Sequence, residues 1–135
     1  MIQEHEIVLY QVEGTNICVN VVFKDETFWM TQKAMAELFD VNVPAISKHL
    51  SNIFEEGELF KEATVSKMEI VQMEGNRKVK REPEFYNLDA IIAVGYRVNS
   101  KKATRFRQWA TKTLKEYITK GFVLNDDMLK NGKLL

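Results

Sequence analysis

Thr31, Gln32, Asn42, Ser47, Lys48 and Ser51 are the side chains of this sequence whose types and spacing best suit contact with a polar ligand. They are hydroxyls, amides and one ammonium. Such groups hydrogen-bond base edges and phosphates. The elements that must position them are two helices. The first spans 32–39, with Thr31 as N-cap and Ala34, Met35, Leu38 and Phe39 as apolar positions. The second opens at Val43, tolerates Pro44 in its first turn and exits at Gly57. Val43, Ile46, Leu50 and Ile53 recur at helical spacing and define one buried face.

The spacing within this pair is that of a helix-turn-helix. A small residue, Ala36, stands where a second helix must cross closely. Asp40 follows where the chain needs left-handed geometry, a place usually held by Gly. Val41 plugs the turn, and Ile46 and Leu50 anchor the second helix. Asn42, Pro44, Ala45, Ser47, Lys48 and Ser51 then face outward. Asn42, Ser47 and Lys48 are expected to meet bases or phosphates. Thr31 and Gln32 are expected to meet a phosphate at the first helix's start. An ordinary αα-corner that touches no DNA has the same pattern. Lys48 is the one firmly basic residue of the second helix, and Glu55, Glu56 and Glu58 would repel any phosphate they faced. His49 reads as a half-buried structural histidine.

The flanking elements add positive charge. Strands are expected at 6–12 and 16–23 around Gly14-Thr15, and at 27–30 after a turn at Asp25-Glu26, with Trp29 in the core. A β-hairpin is expected at 64–86, with strands 65–73 and 78–86, a turn at Gly75-Asn76, and Pro83 at an edge or bulge. Arg77, Lys78, Lys80 and Arg81 decorate it. They make either a wing for DNA backbone or minor groove, or an edge guarded by charge. Asn87 caps a helix over 88–98, whose Gly95 implies a close packing contact. The Asn99-Ser100 break leads into a helix over 101–120, with Gly121 as its C′ residue. Its stripe of Phe106, Trp109, Ala110, Thr113, Leu114, Tyr117 and Ile118 should pack inward. Arg97, Lys101, Lys102, Arg105, Arg107, Lys112, Lys115 and Lys120 form a positive cluster in which Glu116 is the only acid. That is more charge than solubility requires, and it suits phosphate or an acidic protein surface.

The 135 residues bound the answer to one α+β domain, expected over 1–122 as a winged-helix-like unit, with a polar tail or linker at 123–135. The formal net charge of zero conceals a split. Residues 1–76 carry five basic and thirteen acidic side chains, whereas residues 77–120 carry twelve and four. Such asymmetry points to nucleic-acid contact or polar assembly. Cys18 is the lone cysteine, so no internal disulfide frames the fold, and it reads as a buried structural thiol. His5 and His49 have no partner at metal-ligand spacing. Without a phosphate loop, nucleophile elbow or carboxylate constellation, neither an enzyme nor a cofactor is expected. No signal peptide or membrane span is legible, so a cytoplasmic protein without membrane contact is expected.

The segments WMTQKAMAELFDVNVPAISKHLSNIFEEGEL and YNLDAIIAVGYRVNSKKATRFRQWATKTLKEYITKGF resemble the bacterial virulence-associated RhuM family from about Ile7 to Leu124. The second is also similar to the closing part of Bro-N and phage antirepressor domains, through Ser100, Lys101, Ala103, Phe106, Arg107 and Trp109. The resemblance implies a prokaryotic protein of mobile or horizontally acquired DNA, with a DNA-binding N-terminal region and further chain beyond it. Asp40 departs from the usual Gly, and Val43-Pro44 from a more polar pair. Residues and resemblance together imply a transcriptional regulator that binds double-stranded DNA as a homodimer. Thr31, Gln32, Asn42, Ser47, Lys48 and Ser51 lie at the reader, and Arg77, Lys78, Lys80, Lys101, Lys102, Arg105 and Lys112 hold phosphates. The alternative is an antirepressor-like module that docks on another regulatory protein without touching DNA.

Overall fold

The computed structural model describes residues 6–120, Lys120 by its backbone alone. The elements follow in the order β1 (Glu6–Gln11), β2 (Cys18–Lys24), β3 (Thr27–Met30), α1 (Gln32–Phe39), α2 (Val43–Glu55), α3 (Lys61–Thr64), β4 (Val65–Lys67), β5 (Ile70–Glu74), β6 (Arg77–Arg81), β7 (Glu84–Asn87), α4 (Leu88–Val98) and α5 (Ser100–Lys120). The fold is α+β, as the sequence implies. Gly121 and the tail at 123–135 lie outside the described residues.

An antiparallel sheet of order β1-β2-β3-β7-β4 forms the floor. Side-chain alternation assigns its faces. Tyr10, Val19, Val21, Phe23, Phe28, Met30 and Tyr86 are buried on one face, in a single cluster with residues of α1, α2, α4 and α5. Val22, Trp29, Met68 and Phe85 make a smaller cluster on the other. The turn between β2 and β3 places Asp25 and Glu26 at φ 53° and 61°. Trp29 clips it by donating its indole N–H to the Lys24 carbonyl at 2.9 Å.

Several expectations need correction. Cys18 is exposed rather than buried. Val19, Val21 and Phe23 claim the helix-covered face, so Cys18 points to the other side, beyond the reach of the small cluster. Ile17 is also exposed, because β2 begins after it and Thr15 holds it in the turn by accepting its N–H at 3.0 Å. Val43 lies at the very start of α2 and is 40% exposed, outside the buried face of Ile46, Leu50 and Ile53. Ile118 is 50% exposed, one step round the helix from the docked Tyr117.

The expected long hairpin is broken in two. Pro83 has no N–H to continue the ladder. Instead its carbonyl accepts from the Met68 N–H at 3.4 Å, and Met68 turns into the small cluster. Beyond this break β5 and β6 form a separate two-stranded arm, closed at the expected Gly75-Asn76 turn. The single turn of α3, which the sequence pattern did not announce, precedes β4. The Thr64 hydroxyl steadies it by donating to the Phe60 carbonyl at 2.7 Å.

The long helix α5 docks through its rings. Phe106 meets Tyr10 edge-on at 5.0 Å, Trp109 stacks on Phe28 at 5.1 Å, and Tyr117 meets Phe23 at 4.9 Å. Helix α4 begins at Asn87, whose side chain accepts the Ala90 N–H, and its Gly95 is where α1, α4 and α5 converge. A Cβ there would lie 2.6 Å from the Phe39 ring and 2.7 Å from the Ala103 methyl. Both partners are fully buried. Gly95→Ala gains about 1 kcal/mol of helix propensity but overpacks this junction, which costs about 1–3 kcal/mol. A net loss of about 1 kcal/mol is expected, read as a lower denaturant midpoint at unchanged m-value.

Candidate nucleic-acid interface

Helices α1 and α2 are built by their caps. The Thr31 hydroxyl accepts the Ala34 N–H at 3.1 Å, and the Asn42 side-chain carbonyl accepts the Ala45 N–H at 2.8 Å. Asp40 takes the left-handed conformation expected of it, at φ 59° and ψ 51°. Its N–H and that of Val41 both return to the Ala36 carbonyl. Ala36, Ile46 and Leu50 are buried at the crossing. Pro44, Ser47, Lys48 and Ser51 stand exposed on the outer side of α2, and His49 is half-buried. Among the described residues no carboxylate pairs with Lys48.

The other predicted residues of this pair have internal partners. Gln32 donates through Nε2 to the Tyr86 hydroxyl at 3.0 Å, and that hydroxyl donates to Glu84 at 3.1 Å. Burial pushes the Tyr86 hydroxyl up from its ordinary range; the Gln32 donor opposes the shift and Glu84 adds to it. Gln32 thus ties α1 to the sheet. The Thr31 and Asn42 oxygens are engaged in capping.

The acids beyond α2 are gathered by a residue that the sequence pattern left in the positive cluster. Arg97, at the end of α4, bonds Glu56 at 3.0 Å and Glu58 at 2.8 Å. These hydrogen bonds raise its already high pKa further. Arg97 is therefore a clamp between α4 and the end of α2. No sequence signal links it to those acids, since the pair closes over about 40 residues. Glu55 stays exposed at the far end of the α2 face.

Two clefts flank the turn between β1 and β2. One, of about 120 Å³, is bordered by Glu13, Leu38, Lys101, Lys102 and Arg105. The other, open and about 580 Å³, is bordered by Ile17, Cys18, Lys33, Glu37, Asp40 and Val43. The first turns of α2 and α5 thus each border a cleft beside this β-turn. Arg105 pairs there with Glu13 at 3.3 Å, and Arg107 donates to the Tyr96 hydroxyl at 3.1 Å. Lys101, Lys102 and Lys112 pair with no carboxylate among the described residues. Lys112 lies about 16 Å further along α5.

The arm divides its charges between two faces. Opposed residues share a face, so Ile70, Gln72 and Glu74 lie with Arg81, Val79 and Arg77, and Val71 and Met73 lie with Lys80 and Lys78. On the first face Arg81 grips Glu74 with two hydrogen bonds of 2.7 and 2.9 Å, which hold that carboxyl below its usual range. Ile70 packs against the small cluster at the base of this face, while Gln72, Glu74, Arg77 and Arg81 stay exposed. Lys78 and Lys80 point away with Val71 and Met73, both highly exposed. Arg77 is therefore separated from Lys78 and Lys80. Val71 and Met73 were not singled out in the sequence, although the two-residue turn already dictated the pairing.

Among the described residues no cluster of three or more His, Cys, Asp or Glu is arranged to hold a metal ion, and no helix is long and apolar enough to cross a membrane.

A family model, that of the Virulence protein RhuM family, matches residues 63–135. The matched segment takes in the arm, α4 and α5, and begins after α2. No curated protein and no solved structure matched the chain.

The turn between α1 and α2 carries a testable strain. Asp40 holds a left-handed conformation that glycine adopts without a Cβ clash. Asp40→Gly should raise the unfolding free energy by about 0.5–1 kcal/mol, measured by urea denaturation.

Proposed function

The chain belongs to the Virulence protein RhuM family, and from that premise we propose that it binds double-stranded DNA as a transcriptional regulator, with α1 and α2 acting as a helix-turn-helix. The observation that carries this reading is the outer face of α2. Ser47, Lys48 and Ser51 are exposed there on a helix whose other side is fully packed, and the acids at 56 and 58 are held by Arg97. A reader helix needs polar side chains free to reach base edges and little unpaired acid near phosphate; Arg97 meets the second need for Glu56 and Glu58 and leaves Glu55 at the far end of the face. Lys101 and Lys102, which like the start of α2 border a cleft beside the β1–β2 turn, supply phosphate contacts that position without specifying. Lys112 extends this line along α5. A single reader buries little surface, so a homodimer on two half-sites completes the reading.

Fluorescence anisotropy on mixed-sequence duplexes between about 50 and 200 mM salt tests it, because each phosphate contact steepens the fall of affinity with salt by roughly 0.9 in the log–log slope. Lys101→Ala should weaken all sequences alike and reduce the slope by about 0.9. Lys48→Ala should change which sequences are selected from a random pool. Absence of duplex binding at about 50 mM salt overturns the reading in favour of a module that docks on another regulatory protein.

The Arg97 clamp yields a second expectation. Arg97→Ala removes one positive charge and also frees Glu56 and Glu58 beside α2. Its loss of affinity should exceed that of Lys112→Ala, and the excess should shrink when Glu56 and Glu58 are both changed to Gln.

A further inference from the structure

The two faces of the β5–β6 arm differ in a way that the phosphate-binding role of a basic hairpin does not explain. The face that carries Ile70 neutralises its one acid within itself, through Arg81 and Glu74. The free face carries Lys78 and Lys80 with no carboxylate partner among the described residues, and beside them Val71 at 59% and Met73 at 60% exposure. A strand that only guarded an edge with charge would have no use for two exposed apolar side chains between its lysines. Each apolar residue stands directly opposite a lysine, Met73 across from Lys78 and Val71 across from Lys80. The face is thus a small apolar ridge with ammonium groups along one flank.

We propose that this face enters a groove of duplex DNA and bends it, Lys78 and Lys80 holding phosphates at the groove's rim while Met73, with Val71 behind it, presses on a base step. The chemistry is complementary at each point. The ammonium groups match a polyanion whose charge lines the groove, and the apolar pair matches the sugar walls and base edges inside. Apolar side chains that partly unstack a step kink the duplex, typically by about 20–90°. The arm's construction suits this use. It has its own two-stranded sheet, closes in a tight turn at Gly75-Asn76, and meets the body chiefly through Ile70, so it projects. Sequence preference then arises at positions no side chain reads, because pyrimidine–purine steps kink most easily. This inference rests on the DNA-binding reading and adds deformation of the DNA to it.

The test uses the full chain with short mixed-sequence duplexes carrying a fluorophore pair at their ends and 2-aminopurine at an internal TA step. Wild-type protein should raise end-to-end energy transfer and 2-aminopurine fluorescence together. Val71→Ala with Met73→Ala should abolish both signals while affinity falls by less than about tenfold, since phosphate contacts dominate affinity. Lys78→Ala with Lys80→Ala should lower the salt slope by about 1.8. Thermal midpoints of both double variants should match the wild type, because the four side chains lie outside both buried clusters. Full duplex binding with no bend, or a bend that survives the Val71/Met73 substitutions, overturns the arm's role and leaves the DNA-binding reading standing. Absence of any duplex binding by the wild type overturns both. Retained bending with loss of self-association in the arm variants reassigns the face to a second copy and likewise overturns the proposal.

Discussion

Three rings of α5 meet three rings of the sheet, Phe106 on Tyr10, Trp109 on Phe28 and Tyr117 on Phe23. Each such pair contributes about 0.5–1.5 kcal/mol beyond the apolar area it removes from water. Together they hold most of a long helix whose outer side is polar and basic. That docking fixes Ala103 in turn, and Ala103 with Phe39 leaves no room for a side chain at residue 95. The positions of α4 and α1 follow from that contact. The orientation of α2, which crosses α1 at Ala36, therefore rests on the same aromatic packing.

The charge separation along the chain acquires a spatial meaning from the same arrangement. Arginines of the basic half reach back to acids of the acidic half, Arg97 to Glu56 and Glu58, and Arg105 to Glu13. Arg81 does the same at closer range, meeting Glu74 within the arm. Lysines are left over on α2, on α5 and on one arm face. Arginine forms the directional, multidentate bonds that knit elements together, while lysine serves as a mobile point charge at the surface. The neutral total thus combines internal stitching with unpaired charges of both signs among the described residues, the lysines included.

Much of this was legible from local pattern. The strands β2 and β3 on either side of the Asp25-Glu26 turn stand where expected, and the helices with their caps at Thr31 and Asn87 appear as read, whereas Asn42, read as a DNA contact, caps α2. The left-handed Asp40 and the crowded Gly95 followed from what their neighbours required. The failures have a common cause, which is that burial depends on what lies across the sheet. Cys18 sits in an apolar run, yet its side of β2 is uncovered at that end. The hairpin looked continuous because strand propensity continues through residues 65–73, whereas Pro83 and the burial of Met68 end the pairing. Arg97's partners lie in another element altogether, and no spacing rule reaches them.

The break at Pro83 also makes the arm a separable unit of length. Its ladder shares no hydrogen bonds with the main sheet's strands, so residues added or lost at its tip leave the core untouched. Strand geometry nevertheless quantises such changes. Adding one residue to each strand beyond the break carries the side chains further out and exchanges the two faces, and adding two restores them. Reach therefore varies in steps of about 6.6 Å if facing is to be kept. A lineage that tuned how far this arm extends would do so by insertion and deletion in fours, with the body of the domain as an unchanging mount.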